Sequence, residues 1–463
     1  MEISADTLHR LKKALLDSGE AVDLEDANRL FARYWVILRF DGDTLRDSGK
    51  QVALLTAINT ASRAFDGQVR LEGPMDIPFN VPGFCGTTVG TLATRWQIKQ
   101  ADDVPADAPV ISFRQDGTAS VRPFANGWRA AVVGRGCAMP FDWGPTNACA
   151  AVAAGALAVG EAFALQRGEN PEAGYRVEGL SLWRPELRHG WDAECADGPA
   201  LERLPKSLWL VGLGHLGQAY AWTVSFLPFP ATELFEFWLQ DVDTVGVSTL
   251  SSSVLSDRRD VGRMKTRVVS EKLESIGFKT RLLERRFSNP LILQVDEPRV
   301  ALIGVDNAAA RRPLSEMPFD FIAEAGLGSG YADFQCIRIH SFPSQVDSSR
   351  IWAISSEDSQ AALQAPAYEN MLKAGASRCG VTMLASRAVG APFVGCFAAS
   401  LVVAEVLRLL HGGERYAAID LSLGGLRAGT VATVTNPTAV NPGFIPIPSR
   451  KNLDSESFSS ALL

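Results

Sequence analysis

Leu208-Trp209-Leu210-Val211-Gly212-Leu213-Gly214-His215-Leu216-Gly217 is the stretch whose reading decides the fold. Four apolar residues form a buried strand, and an apolar-rich segment of helical character follows. Between them lies G-x-G-x-x-G. Its glycines permit a tight turn and the close approach of a phosphate or ribose, and the helix start favours negative charge. Glycines of ordinary turns can share this spacing. The strand–turn–helix context is what makes Gly212, Gly214 and Gly217 candidates for nucleotide binding.

Downstream segments fit the same site. A strand, Glu236–Gln240, ends in Asp241-Val242-Asp243. An acid at the end of the second strand can hydrogen-bond a ribose hydroxyl. The plain alternative is a solvated loop acid, with more force for Asp243 than for Asp241. Next comes Val261-Gly262-Arg263-Met264-Lys265, where a lysine opening a helix can neutralise phosphates. Strand Val300–Gly304 then leads into Val305-Asp306-Asn307-Ala308-Ala309-Ala310-Arg311. An Asp at the carboxyl end of a parallel strand lies beside the ligand crevice and can hold Mg²⁺ bridged to phosphates. An Asp or Asn there can equally cap the following helix.

Strands alternating with helical segments imply an α/β, doubly wound, Rossmann-like fold. Residues 34–40 and 68–72 are strands of the first half, flanking a helix over 49–64. With 463 residues the chain has room for two or three domains. A net charge of −7 argues against general nucleic-acid binding. Seven scattered cysteines read as reduced thiols and predict a cytoplasmic protein. The longest apolar run, Ala148 to Leu165, contains Glu161 and reads as a buried helix, so no membrane association is expected. The histidines are isolated and there is no CxxC pair, which disfavours a zinc site.

The polar, turn-rich segment from Arg188 to Pro205 marks a boundary between halves, and the tail from Pro448 is Ser-rich. The halves resemble each other. AAGALAVGEAFALQRG from Ala153 lies over FAASLVVAEVLRLLHG from Phe397 without gaps, and GLSLW from Gly179 over DLSLG from Asp420. RAAVVGRGCA from Arg129 is also matched with RVALIGVDNA from Arg299. Three matches in one order suggest duplication. The expected tandem is a degenerate copy over 1–200, an active copy over 201–447 and a flexible tail over 448–463.

GxGxxG, DxD, VGxxK and VDNxxxR in this order resemble the ubiquitin-activating enzyme superfamily, with its ThiF- and MoeB-type adenylyltransferases. Cys379-Gly380 and the Pro-containing turn Ala388–Gly395 continue the likeness, which spans about Leu204 to Gly412. It implies ATP and Mg²⁺ as cofactors, and attack of a partner's C-terminal carboxylate on the α-phosphate. Gly212, Gly214 and Gly217 would cradle the nucleotide, Asp241 would hold the ribose, Lys265 would meet the phosphates and Asp306 would hold Mg²⁺. The implied partners are a ubiquitin-like protein and a conjugating enzyme. The implied assembly is a homodimer or a pseudo-dimer within one chain, in which the inactive half can supply an arginine; Arg33 is a candidate donor. One block departs from the family. Where Ser-Asn-Leu-x-Arg-Gln is usual, this chain has Ser248-Thr249-Leu250-Ser251-Ser252-Ser253, with Ser252 in place of the phosphate-binding arginine. Arg258 and Arg259 are the nearby candidates to compensate.

Full activators of this type pass the acyl group to a cysteine, whose thiolate needs access and a polar or cationic setting. Cys379, between Arg378 and Gly380 and after the largely polar stretch 341–364, is the candidate, with Cys85 behind it. Cys149, Cys336 and Cys396 read as small buried hydrophobes. An adenylyltransferase of a sulfur carrier or peptide, without a thioester, is the alternative. A nucleotide-binding scaffold impaired by the loss at Ser252 is the second.

Overall fold

The computed structural model describes residues 8–98, 104–115, 117–168, 170–288, 290–352, 365–374, 377–426, 431–435 and 442–448. The first half builds one sheet from β1 (Val36–Arg39), β2 (Val69–Glu72), β3 (Val110–Ser112), β4 (Val121–Asn126), β5 (Arg129–Gly134) and β6 (Val177–Ser181). Their order is β2-β1-β3-β4-β5-β6, parallel up to β4 and antiparallel after it. A short β7 (Arg203–Pro205) pairs with β16 (Phe444–Pro446). The second half contributes β8 (Ser207–Val211), β9 (Glu236–Gln240), β10 (Lys279–Leu283), β11 (Val300–Ile303), β12 (Phe321–Leu327), β13 (Cys336–Phe342), β14 (Tyr416–Ser422) and β15 (Val431–Val434).

In this second sheet β10-β9-β8-β11-β12 are parallel, and β13, β14 and β15 extend it antiparallel. The chain runs from β8 outward to β9 and β10, then crosses back to β11 and β12. The strand order therefore reverses between β8 and β11, and a crevice opens there at the carboxyl ends of the strands. This is the Rossmann-like order that the sequence implies. The winding is unequal, however. Leu208, Leu210, Phe237, Leu239 and Leu302 face the main core, where the long helices lie. Trp209, Val211, Trp238, Ile303 and Ile322 point the other way, onto Phe319 and Trp352. That second face is covered by short helices such as Leu314–Glu316 and Ser348–Ile351.

The two sheets share a helical layer. The helices Ser48–Ala64 and Ala148–Arg167 of the first half pack on each other and on Pro392–Leu410, which in turn packs on His215–Ser225. Small residues allow the approach: a Cβ on Gly155 would lie 2.2 Å from the Ala53 carbonyl oxygen. Two of these helices, Ala148–Arg167 and Pro392–Leu410, are long and apolar enough to cross a membrane by composition, yet 94% of each apolar window is buried inside the protein. They are core helices, and one apolar cluster runs through both halves.

One internal match proves to be mistaken. The segment from Arg129, aligned above with that from Arg299, forms β5, an antiparallel strand, whereas β11 is a parallel strand at the switch point. The turn between β4 and β5 holds just two residues, Gly127 and Trp128, and Gly127 has φ +57°. A connection that short can join only antiparallel neighbours.

Candidate nucleotide site

The glycine turn is built by close approach of two backbones. Gly212 has φ +80°, and a Cβ there would lie 2.9 Å from the Gly304 carbonyl carbon. A Cβ on Gly217 would lie 1.9 Å from the Gly212 oxygen. These two positions exclude any side chain, because the turn, the helix and the end of β11 meet there. Gly212 N donates to Gln240 O (2.9 Å) and Gly304 N to Val211 O (2.7 Å), so the ends of β8, β9 and β11 are locked together. A Cβ on Gly214 would meet nothing within 4 Å. Gly214 opens the His215–Ser225 helix with no side-chain cap, leaving its first N–H groups available to an anion.

Asp241 lies beneath this turn. Its Oδ2 accepts from Leu213 N at 2.6 Å and its Oδ1 from Asp243 N at 2.8 Å. The carboxylate thus fixes the turn as well as facing the crevice. Lys265, the first residue of the Lys265–Glu274 helix, reaches back to the acids. Its Nζ is 2.9 Å from Asp243 Oδ2 and 3.9 Å from Asp241 Oδ2. Lys265 N also donates to Asp243 O at 3.0 Å, which straps the two segments together. Gly212, Asp241, Asp243 and Lys265 therefore converge.

Asp306 follows β11 on the same edge, two residues after Gly304. It is exposed and makes no hydrogen bond or ion pair among the described residues. The capping role goes to Asn307, whose Oδ1 accepts from Ala310 N at 2.8 Å. Behind the turn, Arg311 donates through Nε and Nη2 to Val305 O (3.1 and 2.6 Å) and through Nη2 to Ala325 O (3.1 Å). Glu324, fully buried, lies 3.5 Å from Arg311 and 2.5 Å from His340. This buried network fixes the backbone that carries Asp306. The role of Arg311 escapes a linear reading, because its partners Glu324 and Ala325 on β12 become neighbours only on folding.

The altered block is also located. Residues Val247–Ser251 form a 3-10 helix, and Ser252 is buried. An arginine stands next to it, but from the first half: Arg10. Arg10 N donates to Ser251 Oγ (3.1 Å) and its Nη1 to Ala388 O (3.1 Å). A Cβ on Gly390 would lie 3.6 Å from Arg10 Cβ and 3.7 Å from Ser252 Cβ. Arg63, from the Ser48–Ala64 helix, donates to Leu250 O, Val254 O and Ser256 O at 3.0–3.1 Å. Burial lowers its pKa to about 10. The proposed donor Arg33 is not at this place. It is exposed and lines a cavity with Leu15, Glu20, Tyr34 and Asp107 of the first half. Nor does Arg259 compensate, because both its Nε and Nη2 are engaged by Asp257. No local signal marks Arg10 or Arg63, since each acts on a segment far away in sequence.

His215, inside the motif, turns its ring away from the crevice toward the Pro392–Leu410 helix. A Cβ on Gly395 would lie 2.3 Å from His215 Nε2. That atom is covered and without a hydrogen-bond partner, although the residue as a whole keeps some exposure. Burial lowers the pKa to about 4, against a hydrogen bond with the Ala391 backbone that works the other way.

Among the cysteines, Cys149 and Cys396 are buried, as expected, and burial pushes each thiol up to about 12. Cys336 is exposed, contrary to expectation. Strand periodicity puts it on the same outer face as Arg338, while Ile337 and Ile339 point inward. Position 379 falls in the helix Arg378–Ala385. The Cys379 side chain lies outside the described residues, as do positions 353–364 of the polar stretch before it. Cys85 is exposed.

A glycine turn at the switch point of a parallel sheet, with an acid after the second strand, defines a Rossmann-like α/β protein. Models of the BilD N-terminal domain and the BilD C-terminal domain match residues 36–182 and 204–413. The bacterial E1-like protein BilD of Collimonas sp. (strain OK412) is 37% identical over 450 residues, covering 92% of this chain and 92% of that protein. The chain belongs to the bacterial E1-like BilD family. Among solved structures, E. coli MccB with selenomethionine MccA aligns at TM-score 0.31 and 14% identity, over 50% of this chain and 65% of MccB. MccB with AMPCPP and MccA aligns at TM-score 0.32 and 13% identity, over 51% and 65%. Both alignments span less than two thirds of the MccB chain.

Proposed function

We propose that this protein uses ATP to adenylate the C-terminal carboxylate of a ubiquitin-like protein and then carries the acyl group as a cysteine thioester to a conjugating enzyme. The observation that carries this reading is the convergence of the Gly212–Gly217 turn, the Asp241–Lys265–Asp243 cluster and the unengaged Asp306 at one switch point. The E1-like name of the curated relative agrees with it.

The nucleotide phosphates would lie over the turn, against the uncapped helix start and Lys265. The ribose would meet Asp241, whose oxygens each have a lone pair beyond the one given to the backbone. The substrate carboxylate oxygen attacks the α-phosphorus, the bond to the bridging oxygen breaks and pyrophosphate leaves. The chain's part is to align these groups and neutralise charge. Mg²⁺ fits Asp306, since one carboxylate plus phosphate oxygens satisfies its preference, and when bound it would neutralise the leaving phosphates. Arg10 would supply the cation that Ser252 lacks, from the opposite half. The shared strand sequence, β2-β1-β3-β4-β5-β6 beside β9-β8-β11-β12-β13-β14, supports reading residues 1–200 as a degenerate copy and 201–447 as the active one.

ATP–pyrophosphate exchange, stimulated by a cognate ubiquitin-like protein, tests this function. Exchange absent with every candidate carrier, together with nicotinamide dinucleotide binding, would overturn it. A second reading has its own support. Position 379 on a helix and the buried thiols of Cys149 and Cys396 favour adenylation without a thioester; a carrier adduct that resists boiling but yields to thiol reductant would exclude that.

A further inference from the structure

A second charged cavity lies away from the glycine turn, between the two halves. Its volume is about 70 Å³. A water needs roughly 10–15 Å³ on this measure, so the space holds about one five-atom oxyanion. Phe84 and Trp96 of the first half and Trp222 and Ile276 of the second form its apolar walls. Arg63, Arg95, Lys272 and Asp257 form the polar wall.

The charges there do not balance. Asp257 is the single carboxylate lining the cavity, and Arg259 already engages both of its oxygens at 3.0 and 3.1 Å. Arg95 Nε and Lys272 Nζ each stand 3.6 Å from Asp257 Oδ2, beyond hydrogen-bond reach. Neither side chain makes a hydrogen bond among the described residues. Arg63 gives its N–H groups to three carbonyls and Asn59, which leaves its charge without an acid of its own. Asp260, next along the chain, is occupied by Arg263 and by the backbone of Asp257. Burial lowers the pKa of Lys272, and the nearby Arg95 charge adds to that. This cation excess is gathered in a chain of net charge −7, so overall composition does not account for it.

We propose that this cavity binds a phosphate-class oxyanion, either inorganic phosphate or the phosphoryl group of a small organophosphate, held between Arg95 and Lys272. The apolar walls would accept the carbon body of an organophosphate. Arg95 belongs to the first half and Lys272 to the second, so the anion would tie the halves together. Charge-assisted hydrogen bonds to a phosphate are the strong kind, and a partly desolvated site strengthens them. Unlike the nucleotide turn, this site presents charged side chains rather than a glycine-rich helix start.

Thermal unfolding and calorimetric titration of the full chain test the proposal, with inorganic phosphate and phenyl phosphate as probes and chloride holding ionic strength constant. Saturable binding that raises Tm is expected. Arg95→Gln with Lys272→Gln should weaken binding at least about tenfold, the loss of one to two charge-assisted contacts. Lys272→Arg should retain it, and so should Lys265→Gln, which alters only the nucleotide turn. Tighter binding of phenyl phosphate would identify an organophosphate, and equal binding inorganic phosphate. Absence of binding for both probes overturns the proposal. So does binding that survives the double variant and vanishes in Lys265→Gln, which would place the anion at the nucleotide turn. ATP–pyrophosphate exchange in the double variant should match wild type, so failure here is distinguishable from failure of the adenylation reading.

Discussion

Asp241→Asn separates the turn-fixing role that the structure shows for one carboxylate from the ribose-binding role proposed for it. The side chain is 7% exposed, with one oxygen on Leu213 N and the other on Asp243 N. Asparagine preserves the shape but has one oxygen. One backbone N–H would then face an amide NH₂ and lose its acceptor. A hydrogen bond to a charged group contributes about 1.5–3 kcal/mol, and a buried donor left unpaired costs about 1–3 kcal/mol. These overlap, so the expected destabilisation is about 2–4 kcal/mol. That is a large share of the roughly 5–15 kcal/mol that holds a domain together. Urea unfolding should show a lower midpoint at unchanged slope, and ATP affinity should fall as the turn loosens. If the variant unfolds within about 0.5 kcal/mol of wild type while nucleotide affinity drops, Asp241 serves the ligand alone and the account of the turn is wrong.

Three further outcomes are expected. Asp306→Ala should lower exchange at least about a hundredfold while leaving the unfolding midpoint unchanged, because Asn307 rather than Asp306 caps the helix; wild-type exchange would remove Asp306 from the site. Cys379→Ala should keep exchange and lose the reductant-sensitive carrier adduct; an adduct that persists turns attention to the exposed Cys85 or Cys336. His215 and His9 are both held near pKa 4 by burial, so each folds neutral and the unfolded chain takes up the proton. Their contribution is whole above pH 6.5 and is lost as pH falls toward 4, about 2 kcal/mol each by pH 5. His215→Gln should roughly halve that part of the acid slope, and an unchanged slope from pH 7 to pH 5 would contradict the burial of its ring.

What the sequence makes legible follows from the range of the interactions. The strand–turn–helix at Val211–Gly217 is local chemistry, so its glycines, the acid after β9 and the lysine at the next helix start can all be read in order. Strand direction is another matter. RAAVVG and RVALIG carry the same apolar run, and burial says nothing about direction. Asn126-Gly127 beside it is a hairpin signal, and a two-residue turn of that kind makes β5 antiparallel to β4. Cys336 is a phase error of the same kind, because period two pairs it with the outward Arg338. Arg10, Arg63 and Arg311 belong to a different class. Their partners lie on other segments, across the halves for Arg10 and Arg63 and on β12 for Arg311, and no spacing rule reports a contact that exists only after folding.

Those remote contacts also explain why a half without a glycine turn is needed at all. The block from Ser248 to Ser256 lacks the arginine that resembling enzymes carry in place, and it has little regular structure of its own. It is held instead by Asn59 and Arg63 from one first-half helix and by Arg10 from the start of the chain. Take the first half away, and the carbonyls of Leu250, Val254 and Ser256 lose a buried cationic donor. The Pro392–Leu410 helix would also expose the face now covered by Ala148–Arg167. Burying a guanidinium is expensive, and hydrophobic residues of similar volume would commonly hold a loop as well. A part-buried arginine at this junction does something they cannot: it donates to three backbone carbonyls at once, beside a serine whose neighbour in space is a second arginine. The 248–256 segment beside the crevice is thereby held in place by residues of both halves.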